Sequence, residues 1–225
     1  MGEYYDWVNV DKKEYITPND FDYGNKSIES CSRGNEFLCA LRELLHNEWA
    51  GDHIFFMGDE KNIPEDTKNE TLKLMYNRTV EFGYPGCPFD TEMEYFKNVG
   101  GLFKETENEV RPEIGFYLHH LEENDDPYLV NEYDIDVSDP YKGLFTREGR
   151  DFKYTINHTK KVYYAFGMTK ILYHDNTESD TVDPLPILMA YGRASDTGDW
   201  VGDIIGVSDE KPEGYMLMDH IYLSW

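Results

Sequence analysis

The sequence predicts an α+β fold made of two related hairpin–helix–strand units, packed into one compact unit with a helical, acidic insert between them. Three observations predict it. The frame Asn-x-x-Lys-Lys-x-Tyr occurs at Asn9–Tyr15 and again at Asn157–Tyr163, and these hold the only two Lys-Lys pairs of the chain. A Trp-x-Gly-Asp stretch follows each frame, at Trp49–Asp52 and Trp200–Asp203, trailed by Asp59-Glu60-Lys61 and by Asp209-Glu210-Lys211. Asn9 precedes Trp49 by 40 residues, and Asn157 precedes Trp200 by 43. Matched features in one order at nearly one spacing are the signature of an internal duplication.

Residues 4–10 alternate bulky and polar side chains, and Glu14-Tyr15-Ile16 resumes after a charged interruption. That pattern predicts a β-hairpin with a lysine tip, and residues 153–157 and 162–166 predict its counterpart. Asn35 is placed to cap a helix to about His46, with Phe37, Leu38, Leu41, Leu44 and Leu45 on one face. Its counterpart is the shorter apolar stretch Pro184–Tyr191. Each helix leads through a Trp turn into a strand, at 53–57 and 204–207, with Ile54 and Ile205 facing inward and both tryptophans buried.

Between the units, Thr67-Lys68-Asn69-Glu70 reads as a capping box opening a helix that Gly83 ends. Residues 83–90 read as a turn-rich loop and 90–98 as another helix. Pro112 is expected in the first turn of a third helix carrying Ile114, Tyr117, Leu118 and Leu121. Residues 124–140 read as a connector and Thr177–Asp183 as a polar loop. The division is thus 1–66 for the first unit, 67–149 for the insert and connector, and 150–225 for the second unit. One cooperative domain is expected, because a unit of about 55 residues buries too little surface alone.

With 45 acidic and 21 basic side chains the net charge is −24. Such a field repels phosphate backbones, so direct binding of nucleic acid or of an anionic membrane is not expected, whereas a basic protein would be attracted. From Lys104 to Asp139 there are twelve acids and two bases. Cys31, Cys39 and Cys87 form no zinc-type spacing and read as free thiols of a reducing, cytoplasmic setting. The opening Met1–Asp6 has neither the basic start nor the apolar stretch of a signal peptide, and no apolar run approaches a membrane span.

The opening Met-Gly-x-Tyr-Tyr, the Val-Asn-x-Asp-Lys-Lys-Glu-Tyr hairpin and the Trp-Ala-Gly-Asp turn resemble a broad set of bacterial and phage proteins with no assigned activity. The resemblance implies a compact cytosolic protein and brings no catalytic residue with it. No P-loop, dinucleotide fingerprint, Gly-x-Ser-x-Gly or His-Glu-x-x-His is present. The expected function is a non-enzymatic protein-binding module acting on a basic or nucleic-acid-binding partner, an inhibitor or immunity-type protein, a class that includes phage counter-defence proteins. Glu122, Glu123, Asp125 and Asp126 are its expected contact residues, and no cofactor is expected. The alternative is a metal-dependent hydrolase in which Asp52, Asp59, Asp203 and Asp209 hold Mg²⁺ or Mn²⁺. Against that stands the tight-turn role of Asp after Gly, where the carboxylate bonds to nearby backbone.

Overall fold

The computed structural model describes residues 3–88, 95–124, 133–192 and 197–223, with the side chains of residues 123 and 124 also outside the description. The fold is α+β. The first half gives β1 (Tyr5–Asn9), β2 (Glu14–Ile16), α1 (Glu36–His46) and β3 (Ile54–Gly58). Then come α2 (Glu70–Glu81), β4 (Lys97–Asn98) and α3 (Glu107–Asn124). The second half gives β5 (Tyr154–Asn157), β6 (Val162–Tyr164), β7 (Lys170–Leu172) and β8 (Glu178–Ser179). It closes with α4 (Leu185–Met189), β9 (Ala190–Tyr191), β10 (Ile205–Ser208), β11 (Met216–Leu217) and β12 (His220–Tyr222).

Two sheets share one plan. The first runs β4-β2-β1-β3-β9 and the second β11-β6-β5-β10, beside a small β12-β7-β8 sheet. In both, an antiparallel hairpin takes a third strand antiparallel on one side and a fourth strand parallel on the other. The registers coincide. Asn9 faces Glu14 and Ile54, and Asn157 faces Val162 and Ile205. The parallel strands enter alike: Lys97 donates its N–H to the Lys13 carbonyl at 2.8 Å, and Met216 donates to the Lys161 carbonyl at 3.0 Å.

The chain crosses between these sheets twice. β9, from the second half, adds to the first sheet in parallel with β3. α1, from the first half, packs against β10 and reaches the second sheet through Arg42. Its Phe37 meanwhile lies 6.5 Å, ring to ring, from Phe56 of the first sheet. α1 is therefore buried on both flanks, as Phe37, Leu38, Ala40, Leu41, Arg42, Leu44 and Leu45 record. The main core runs from Tyr5 to Leu223 without a break between halves and includes Trp49, Trp200, Ile54 and Ile205.

Four elements differ from the sequence expectation. α2 starts at Glu70 with Asn69 as its cap, whose side chain accepts from the Leu72 N–H at 3.1 Å, so Thr67 lies outside the helix. Asn69 is fixed there because its amide also donates to the Val201 carbonyl at 2.7 Å. Residues 97–98 form β4 rather than helix, since β2 offers a free edge for them; residues 90–94 of that expected helix lie outside the described residues. α3 begins at Glu107, five residues before Pro112, because the turn Lys104–Thr106 is already helical and leads straight in. Pro112 then sits inside the helix, where it forfeits one backbone bond. Finally, Tyr133 and Ile135 of the expected connector are buried against Val110 and Ile114 of α3, forming a small second core.

Candidate functional site

The repeated motifs build the same hydrogen-bonded turn twice. Asn9 and Asn157 are fully buried at the ends of β1 and β5. Each donates its amide to the turn aspartate, Asn9 to Asp52 at 2.8 Å and Asn157 to Asp203 at 2.7 Å. Each accepts from the first tip lysine, from the Lys12 N–H at 2.9 Å and the Lys160 N–H at 2.8 Å. The ammonium groups of those lysines return to the same carboxylates, Lys12 to Asp52 at 3.1 Å and Lys160 to Asp203. The second tip lysine turns left-handed, with φ of 56° at Lys13 and 57° at Lys161. Asp11 and Thr159 complete the set by accepting the N–H of His53 at 2.6 Å and of Ile204 at 2.9 Å. The Asn and Lys residues of the frame thus exist to hold the Trp-x-Gly-Asp turn against the hairpin tip.

This occupies the carboxylates proposed from sequence as metal ligands. Asp52 and Asp203 serve the two turns, on different sheets. Asp59 accepts the Tyr4 N–H at 3.0 Å, and Asp209 takes the Lys153 N–H at 3.4 Å and Arg150 at 3.5 Å. Among the described residues no group of three or more His, Cys, Asp and Glu side chains is placed to hold a metal ion.

A buried polar network that the motifs did not announce joins the halves. Arg42 of α1 bonds Asp183 at 2.5 Å, Thr155 of β5 at 2.7 Å and Tyr164 of β6 at 3.3 Å. Asp183 also accepts from the Tyr164 hydroxyl at 2.7 Å and the Leu185 N–H at 3.0 Å. Arg42 and Asp183 are each 1% exposed. Burial acts to lower the Arg42 pKa, but the charge and hydrogen bond of Asp183 together with Tyr164 and Asp151 outweigh it and hold the guanidinium above its ordinary value. Burial, then Asp183, pushes the Tyr164 hydroxyl well up. The signal for Arg42 was its place on the apolar stripe, four residues after Leu38; Asp183, inside a polar loop, gave none.

Among the described residues, Cys31, Cys39 and Cys87 form no disulfide with one another. Burial pushes the Cys31 thiol well up and the Cys39 thiol to about 11, so neither is a thiolate at neutral pH.

The acidic candidate surface lies on α3. The helix carries five glutamates, among which Glu109, Glu113 and Glu122 are exposed and Glu107 is half-buried. The basic side chain on this stretch, Arg111, bonds Glu107 at 2.8 Å and lies over the Tyr141 and Phe145 rings. Phe116 stands 60% exposed on the same helix face as Glu109 and Glu113, with the His120 ring 4.6 Å away. Of the expected contact residues, Glu122 is exposed in the last turn of α3 and Glu123 is in the helix; Asp125 and Asp126 lie outside the described residues. No helix among the described residues is long and apolar enough to cross a membrane. Comparison with protein-family models, with curated proteins and with solved structures finds no match to this chain.

Proposed function

We propose that the chain is a non-enzymatic binding module of the inhibitor or immunity type, which engages a basic or nucleic-acid-binding protein through the outer face of α3. The observation that carries this reading is the exposed Phe116 with exposed Glu109 and Glu113 on its helix face, and exposed Glu122 in the last turn, in a chain of net charge −24. Carboxylates on one face steer a basic partner into encounter, and an aromatic ring at the centre supplies the short-range anchor. The small core beneath, Val110, Ile114, Tyr133 and Ile135, holds the helix as a firm platform for that contact.

The test compares capture from host lysate by wild type, Glu109→Lys/Glu122→Lys and Phe116→Ala. Both glutamates and Phe116 are exposed, so the variants fold. A basic protein held at low salt, and recovered about tenfold less by the charge-reversed variant, is the expected result. Equal recovery by all three proteins overturns the reading.

A further inference from the structure

A cleft of about 420 Å³ lies at the seam between the halves, lined by Ile28, Cys31, Arg33, Tyr173, Asp180 and Val182 together with the Ser32 and Thr181 edges. Its two walls are clamped by backbone bonds. Arg33 donates its N–H to the Thr181 carbonyl at 2.8 Å, Asp183 donates to the Cys31 carbonyl at 2.7 Å, and Ser32 bridges Val182. Asp183, the residue after Val182 of the lining, is held in turn by the buried Arg42 at 2.5 Å.

Arg33 is unusual for this chain. Arg42, Arg78, Arg111, Arg147 and Arg150 each pair with a carboxylate. Among the described residues Arg33 has no such partner, although acids outnumber bases 45 to 21. Its guanidinium instead lies 3.9 Å from the Phe166 ring centroid, which fixes the plane of the fork while leaving its donors open. An oriented, unpaired guanidinium at the wall of a cleft of ligand-binding size matches a carboxylate, which accepts two parallel bonds from it. Ile28, Val182 and Tyr173 offer apolar surface for the rest of the molecule. Asp180 in the lining and the net negative field disfavour phosphates and other multiply charged anions.

We propose that this cleft binds a small monocarboxylate with an apolar body, held by Arg33. The site is separate from the α3 face and does not depend on the function proposed for it.

The test is an amide-resolved NMR titration of the full chain with benzoate, phenylacetate and 4-methylvalerate, using benzyl alcohol as the uncharged control. For at least one carboxylate, the amides of Ser32, Thr181 and Val182 should shift saturably. Arg33 is exposed, so Arg33→Gln keeps the fold. It should bind that carboxylate about tenfold more weakly or worse, and benzyl alcohol should bind the wild type as weakly. The proposal is overturned if none of the three carboxylates saturates these shifts by about 20 mM. It is equally overturned if Arg33→Gln binds like wild type, or if benzyl alcohol binds as well as the acids.

Discussion

At Arg42 a charged side chain sits where the stripe of α1 calls for an apolar one, and it is tolerated because every partner is in place. Removing it strands Asp183 in the interior. Arg42→Met should therefore cost roughly 3–5 kcal/mol, while Arg42→Met/Asp183→Leu should recover much of the loss. Urea unfolding of wild type, the two single variants and the double variant reads this; a loss below about 1 kcal/mol would show the pair to be dispensable. His158 makes a second prediction at this scale. Burial, and then the charge of Lys161, hold its pKa below the ordinary value. Its ring nitrogen lies 2.9 Å from the Tyr215 hydroxyl. The unfolded chain therefore binds the proton more readily than the folded one, and stability falls as pH drops below about 6.5 toward the lower folded value. In His158→Gln the fall between about pH 7.5 and 5.5 should be smaller than in wild type, by urea unfolding at both.

Within single elements, the two Trp turns look alike but differ in what surrounds them. Gly51 and Gly202 are left-handed, with φ of 82° and 93°. A Cβ at Gly51 would meet nothing within 4 Å, whereas one at Gly202 would strike the Asn69 side chain that caps α2. Gly51→Ala should cost about 1–2 kcal/mol of backbone strain alone. Gly202→Ala should cost at least about 1 kcal/mol more, because it also displaces a helix cap. Thermal unfolding of the two variants side by side measures the gap, and equal losses would refute the asymmetry. Local elements were largely legible: hairpins from alternation, α1 from its cap and stripe, the turns from Trp-x-Gly-Asp. What escaped was decided elsewhere in the chain. Lys97-Asn98 becomes a strand because β2 has an open edge, and Asn69 rather than Thr67 caps α2 because Val201 holds its amide. The acidic face of α3 could be read from charge alone, but the exposure of Phe116 and the cleft at Arg33 are products of packing that no spacing encodes.

Across the whole molecule, the two halves complete each other. The first sheet takes β9 from the second half, and α1 spans both sheets. Residues 1–66 contain neither β9 nor β4, and residues 150–225 lack the helix that covers β10. Neither fragment should show a cooperative unfolding transition when expressed alone, whereas the full chain should. A sigmoidal denaturant curve from either piece would refute this. A duplicated unit remains our reading of the shared plan, register for register. The crossing strand also bears on how the protein is made. β3 ends at Gly58, but its parallel neighbour ends at Tyr191, so a ribosome adding roughly 5–20 residues per second leaves the β3 edge open for on the order of ten seconds. During that interval the strand Ile54-Phe55-Phe56-Met57 is paired on its β1 side alone and offers an open, apolar edge on the other. The net charge of −24 opposes the approach of neighbouring copies, and so disfavours pairing at that edge before β9 is in place.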